Sequence, residues 1–203
     1  MALRNIAAAC LGLALLAAPA MAQQTPQQAP VVKTPDDLSD AQMDELYCIY
    51  DEMAKTPDAV ARSIIVGDEE SVASARVIHT VARTTCVTKH KWSAEQADVA
   101  ATVAVSAILA DVTEDELRKL GLQDKTFEAM MKIADKLSAA DFEAMLSMGQ
   151  KKADEATLER VRKSLTDAGV PKDKNTMEAA VAFLQGSMAE YDAVLTWVDA
   201  KFY

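Results

Sequence analysis

Residues 94–111 read AEQADVAATVAVSAILAD, and this stretch decides the fold of the chain. Ser93 and Gln96 stand at the spacing of a capping box, which predicts that a helix begins here. The helix would be slim and apolar on most sides, and such a helix belongs in the middle of a bundle. Its apolar side chains are Ala97, Ala100, Ala101, Val103, Ala104, Ala107, Ile108 and Leu109.

The segments around this stretch also read as helices, because helix start signals recur and strand-like alternation is almost absent. Thr56-Pro57 places proline at a first helical position, and Thr113 with Glu116 matches another capping box. We therefore expect an all-α protein, a compact antiparallel bundle of about eight or nine helices. The expected helices lie near 40–55, 57–66, 69–91, 94–111, 114–120, 125–137, 139–148, 153–168 and 176–201.

The last segment, 176–201, carries a heptad seam in which apolar residues alternate at spacings of four and three. Phe183, Val194 and Trp197 form a second stripe off that seam. Two stripes predict a helix that is covered on two sides, either by its own domain or by a second subunit. These three residues are therefore the candidate interaction surface, for another protein or for self-association through helix 176–201.

The N-terminus has the three-part pattern of a secretory signal peptide over residues 1–22. Arg4 precedes an apolar run, and Ala20-Met21-Ala22 supplies the small residues of a cleavage site. Residues 23–35 are rich in Gln and Pro and predict a disordered linker. The remaining 36–203 should form a single helical domain, with possible sub-halves 36–111 and 112–203. We predict an exported protein, which would be periplasmic in a Gram-negative source.

Two cysteines, Cys48 and Cys86, remain once the signal peptide is removed. An even pair in an exported chain favours a disulfide over free thiols. At 100° per residue, Cys48 lies well off the apolar stripe of a continuous helix 40–55. We therefore expect the disulfide to lie beside the core seam and not within it.

The composition is acidic, with 31 Asp and Glu against 21 Lys and Arg and a formal net charge of −10. This balance argues against nucleic acid as a partner, because Lys and Arg neutralise the phosphates in such complexes. The longest apolar stretch after the signal, 99–109, is too short to span a bilayer. No membrane insertion is therefore expected after signal cleavage.

A metal site is one alternative interpretation of the cysteines. Cys86 and His90 are four residues apart on one helix, a spacing that can chelate a metal, and Cys48 would add a third ligand for zinc or copper. The thioethers of Met130, Met131, Met145 and Met148 would suit copper(I). A disulfide would remove both thiolates, however, so we predict no cofactor.

Catalytic motifs are scarce in this sequence. The sequence contains no nucleophile elbow, zinc-protease motif, phosphate loop or dinucleotide fingerprint. The pair Glu70-Ser71 leaves open the hypothesis of a cell-wall-acting enzyme in which Glu70 is the key residue, although both residues suit the first turn of a helix. The first hypothesis is accordingly a non-enzymatic binding or protein-interaction module, and the second is a periplasmic metal-handling protein.

One resemblance adds a further alternative. A helix carrying Cys48, then Cys86 followed by Trp92-Ser93-Ala94-Glu95-Gln96 and an apolar helix, resembles small exported, disulfide-linked helical proteins. Examples are immunity proteins of the Rap/Tai type and acid-stress chaperones of the HdeA type. The resemblance covers at most residues 36–111 and implies an immunity-type or chaperone-like role.

Overall fold

The computed structural model describes residues 37–65, 67–147 and 155–202, all of which belong to one compact unit, Val32–Tyr203. The signal peptide 1–22 and the linker 23–35 lie outside the described residues. The described part contains nine helices and no strand, which confirms the all-α fold. The helices are α1 (Asp40–Leu46), α2 (Cys48–Met53), α3 (Pro57–Ile65), α4 (Glu69–His90), α5 (Ala94–Lys119), α6 (Asp124–Ala134), α7 (Ala139–Leu146), α8 (Glu155–Asp167) and α9 (Lys174–Phe202).

Helix α5 begins at the capping box of Ser93 and Gln96, as predicted, but it continues past residue 111 to Lys119. The expected new start at Thr113 is wrong. The Thr113 hydroxyl donates to the carbonyl oxygens of Leu109 and Ala110, at 2.6 and 3.0 Å, and so bonds back onto the preceding turn. A threonine bonded in this way remains inside a helix and does not cap a new one.

The expected helix 40–55 is two helices, because the backbone leaves helical geometry at Tyr47. Its φ and ψ are −85° and 5°, against about −63° and −42° in a regular helix. The break turns the following residues relative to α1. Cys48 and Ile49 are consequently buried in the core. The prediction for Cys48 assumed one continuous helix with 100° between successive residues, and it therefore placed this side chain wrongly.

Helix α5 packs most extensively on α9, and the two run antiparallel through the centre of the bundle. Gly186 of α9 lies directly against the α5 backbone. A Cβ atom placed on Gly186 would stand 2.8 Å from the Ala110 nitrogen and 3.0 Å from the Ser106 carbonyl oxygen. The absence of a side chain at this position therefore permits the close approach of the two helices.

The hydrophobic core consists of two clusters that share α5 and α9. We call the first the disulfide cluster; it joins α1–α4, the first half of α5 and the end of α9, including Leu46, Cys86 and Trp197. The second, the α6–α8 cluster, joins the rest of α5 and α9 to those three helices, including Leu117 and Leu184. The division between the clusters crosses α5 between Ile108 and Ala110, and the end of α9 belongs to the first cluster.

By length and composition alone, α5 could cross a membrane. The expectation that every apolar stretch is too short was wrong on this point, because the helix does not end at residue 111. Half of its most apolar window is buried against the rest of the described chain. Such burial is typical of the central helix of a bundle.

Candidate functional site

The predicted interaction residues of α9 lie in the core. Phe183, Val194 and Trp197 are all buried, with at most 5% of each side chain exposed. Phe183 packs edge-on against Phe127 of α6, and Trp197 packs edge-on against Trp92, both at 5.4 Å between ring centroids. The second stripe is therefore covered by the chain itself, and these three residues do not form an exposed surface.

The large apolar side chain of α9 that is exposed, Tyr191, lies on the heptad seam instead. Tyr191 is 55% exposed and Met131 of α6 is 47% exposed. The two side chains line a groove of about 630 Å³ between α6, α7 and α9, whose wall also includes Phe142 and Met188. Glu128, Lys132 and Asp135 are the charged residues of this groove, which we call the Tyr191 groove.

The cysteines of the metal hypothesis are paired with each other. Cys48 and Cys86 lie at disulfide distance, with sulfur atoms 2.10 Å apart, and both are buried in the disulfide cluster. The pairing confirms the predicted partner, whereas the expected position beside the core was wrong. Neither sulfur is thus a free thiolate, and no group of three His, Cys, Asp or Glu side chains in the described residues is placed to hold a metal.

The remaining residues of the metal hypothesis are His90 and the four methionines. The His90 ring stacks on Trp92, with 5.2 Å between centroids. Met130 and Met145 are buried in the α6–α8 cluster, whereas Met131 is exposed and Met148 lies outside the described residues. Two of the four methionines considered for copper, Met130 and Met145, therefore share one buried cluster, whereas Met131 faces solvent.

Trp92 belongs to a polar cluster that joins the ends of α1, α4 and α9. Its indole N–H donates to the Glu45 carboxylate at 2.8 Å, and Lys201 donates to the same carboxylate oxygen. Burial alone would raise the pKa of Glu45, but the hydrogen bonds from Lys201 and Trp92 hold it below its ordinary value. Since all three polar groups are paired, this cluster is a structural link between helices.

Glu70, the candidate residue of the enzyme hypothesis, lies exposed in the first turn of α4. Asp68 caps this helix by accepting a hydrogen bond from the Ser71 backbone N–H at 2.7 Å. The pair Glu70-Ser71 therefore has the structural role that its position in the sequence indicates. An acidic residue in a first helical turn is stabilised by the helix dipole.

A cavity of about 270 Å³ lies between α3, α4 and α5, beside the disulfide cluster. We call it the His79 pocket. Most of its wall is apolar, and its three polar members are Ser63, Arg76 and His79. The described residues that line it are Met53, Val60, Ser63, Ile64, Val72, Ala75, Arg76, His79, Val105 and Ile108.

His79 is the unusual group of this pocket. Its Nε2 atom is buried and makes no hydrogen bond with any described residue. Burial lowers the pKa of His79 below its ordinary value, and the charge of Arg83 lowers it further, so the imidazole is neutral at pH 7. A neutral imidazole can donate one hydrogen bond and accept another, and here Nε2 does neither.

Arg76 lies one helical turn before His79 on the same face of α4. The sequence pattern pointed only to a histidine between two arginines, at positions 76 and 83, a setting that disfavours a bound cation. It could not show that α3 and α5 build an apolar wall around the ring. The pocket is therefore a feature that sequence reasoning missed.

The chain matches no protein-family model, and comparisons with curated proteins and with solved structures return no significant match. The resemblance of residues 36–111 to immunity proteins and acid-stress chaperones therefore gains no support from them.

Proposed function

We propose that this chain is a non-enzymatic binding module and that the His79 pocket holds a small apolar ligand. The observation that carries the proposal is a mostly apolar cavity of about 270 Å³ with Arg76 and His79 among its lining residues. Known small-molecule sites share this design, with a mostly apolar cavity and a few polar groups that orient the ligand.

The energetics of the pocket favour an occupant. Covering the apolar wall would stabilise the complex by roughly 25 cal/mol for each Å² removed from water. Val105 is 52% exposed, so the bound ligand would also cover a large apolar side chain that now faces solvent.

A probe with a short alkyl chain tests this function directly. We expect 1-octanol to bind the full chain in isothermal titration calorimetry. Ala75→Leu should weaken that binding strongly, because Ala75 lines the pocket and three added carbons would occupy part of the space for the alkyl chain. Ala73→Leu is the matched control, since Ala73 is exposed on the same helix and does not line the pocket. Equal binding by the two variants would refute the proposed site.

Export remains part of this proposal. The disulfide distance between Cys48 and Cys86 is compatible with an oxidising compartment, and the pattern of residues 1–22 supports a cleavable signal. Expression in a Gram-negative host, followed by fractionation and N-terminal sequencing, should yield a periplasmic product that begins at Gln23. A cytoplasmic product that retains Met1 would contradict export.

A second candidate function is protein interaction through the Tyr191 groove, with a second copy of the chain as the occupant. The groove displays Met131 and Tyr191, and its charged residues carry both signs. In an isologous dimer, Lys132 of one copy could face Glu128 or Asp135 of the other.

Light scattering of the mature protein tests this second function. We expect a dimer that Tyr191→Ser dissociates. Leu120→Ser is the matched control, because Leu120 is 49% exposed but does not line the groove. A monomer over the accessible concentration range, or an equal effect of both variants, would exclude self-association through this groove.

A further inference from the structure

We infer that the ligand of the His79 pocket is an aliphatic carboxylic acid, bound with its carboxylate at Arg76 and its chain on the apolar floor. The inference rests on the proposed binding function and specifies its ligand class. It is carried by the pairing state of Arg76, the charges around the pocket and the shape of the pocket.

Arg76 differs from the four other arginines whose side chains the structure describes. Arg83, Arg118, Arg160 and Arg162 each form a salt bridge with a carboxylate of the chain. Arg76 forms no ion pair with any carboxylate in the described residues, although it lies on an acidic protein. Its guanidinium is therefore available to a carboxylate from outside, which it can bind through two parallel hydrogen bonds.

The local charge of the pocket differs from that of the whole chain. The formal net charge is −10, and the Tyr191 groove includes Glu128 and Asp135. Among the described side chains, the lining of the His79 pocket includes one arginine and no carboxylate. An anionic group would thus meet Arg76 and no described acidic side chain of the wall, whereas a cationic group would be repelled by Arg76.

The exposed and the buried ends of the pocket also differ in polarity. Arg76 and Val105 are exposed, whereas Met53, Val60 and Ile108 are buried and belong to the disulfide cluster. A molecule with one charged end would lie with that end at Arg76 and its alkyl chain over the three buried residues.

The size of the pocket limits the ligand. A volume of about 270 Å³ lies near the lower end of the range for small-molecule sites, roughly 300–1,000 Å³. One short alkyl chain is suited to this space, whereas a lipid with two long chains is not.

Calorimetry with three probes of equal chain length tests the head group. Octanoate should bind the full chain more tightly than 1-octanol, and octylamine should bind most weakly. Arg76→Gln should weaken octanoate at least about tenfold, since it removes a charge-assisted pair, and should leave 1-octanol unchanged within about twofold. Arg76→Lys, which keeps the charge but not the bidentate geometry, should give an intermediate affinity. Lys89→Gln is the control, an equal loss of charge at an exposed position of the same helix.

The outcomes separate this inference from the function on which it rests. If octylamine binds as tightly as octanoate, or if Arg76→Gln and Lys89→Gln weaken octanoate equally, the carboxylate assignment is overturned. Binding of 1-octanol that is weakened by Ala75→Leu would in that case still support the pocket. If Ala75→Leu affects no probe, the proposed function itself fails. Circular dichroism of each variant shows that a lost affinity does not reflect unfolding.

Discussion

The two hydrophobic clusters are held together in different ways. The disulfide cluster is built partly from the three short helices α1, α2 and α3, of seven, six and nine residues. It contains the Cys48–Cys86 pair, the cluster of polar side chains around Glu45, and the His79 pocket. The α6–α8 cluster contains neither cysteine. Beside it, an ion pair of Asp141 with Arg160 links α7 to α8.

This difference shows where a covalent link is needed. Helices of six to nine residues are too short to be stable alone in water, and the disulfide cluster has three of them, α1–α3, whereas the α6–α8 cluster has one, α7 of eight residues. A cavity beside α1–α3 removes some of their tertiary contacts. The disulfide between α2 and α4 offsets both effects. We therefore expect the binding pocket and the cross-link to be coupled, whereas the α6–α8 cluster should be stable without such a link.

Removal of the disulfide should have the largest effect. Cys48→Ala combined with Cys86→Ala should lower the free energy of unfolding by roughly 4 kcal/mol, since the bond closes a loop across a sequence separation of 38 residues. The loss should concentrate in the disulfide cluster. Amide hydrogen exchange should accelerate in α1–α4 before it does in α6–α8, and uniform acceleration would contradict two separately held clusters.

A methyl group at the α5–α9 contact should affect both clusters together. In Gly186→Ala the new Cβ atom would meet the Ala110 and Ser106 backbones, which have little freedom to move. We expect a loss of about 1–3 kcal/mol from overpacking, although alanine favours a helix more than glycine does. Urea unfolding measures the change, with Ser187→Ala as the control on the same helix. A more stable Gly186→Ala protein would refute the close contact.

Most helices could be predicted from the sequence because the residues that cap their starts are local signals. The Ser93 capping box and the Asp68 cap mark the starts of α5 and α4, and both are used in the structure. The error at Thr113 came from a local hydrogen bond onto the preceding turn, whereas the error in helix 40–55 involves a distant part of the chain. The break at Tyr47 accompanies a hydrogen bond from its hydroxyl to Glu190 at 2.6 Å, across 143 positions of sequence.

The site was less predictable than the fold for the same reason. A heptad pattern shows that one face of α9 is apolar, but it does not show which neighbour covers that face. Phe183 and Trp197 are covered by α6 and by Trp92, whereas Tyr191 of the regular seam is exposed. The His79 pocket depends on the placement of three helices, and no spacing within α4 encodes it.

The ion pair of the α6–α8 cluster should make its stability sensitive to acid. Hydrogen bonds from Arg160 and Ser138 lower the pKa of Asp141 from its ordinary value of 3.8 to about 2. Because the folded state lowers this pKa, the stabilisation is fully present above pH 3.8 and is lost as the pH falls through 2. Asp141→Asn should therefore be less stable than the wild-type chain at pH 6, and the difference should shrink towards pH 2. Glu143→Gln, at an exposed position of α7, is the control in urea unfolding, and a difference independent of pH would contradict the role of the Asp141 charge.

At the junction between the clusters, Glu190 should also make the stability depend on pH. This dependence should be weaker than that of Asp141 and opposite in sign. Glu190 accepts the hydrogen bond from Tyr47, and burial, followed by the nearby charge of Asp111, raises the pKa of Glu190 above its ordinary value of 4.5. The folded state thus binds this proton more tightly than the unfolded state, so the contribution of Glu190 to stability falls as the pH rises through its folded pKa.

Glu190→Gln removes this titration and leaves a carbonyl oxygen to accept the Tyr47 hydrogen bond. We expect the variant to be more stable than the wild-type chain at pH 7, by less than about 1 kcal/mol, and to lose this advantage at pH 4. Thermal unfolding at the two pH values measures the change, and Glu178→Gln, exposed on the same helix, should show no such gain. A less stable Glu190→Gln protein at pH 7 would mean that the carboxylate charge itself holds the two clusters together at Tyr47.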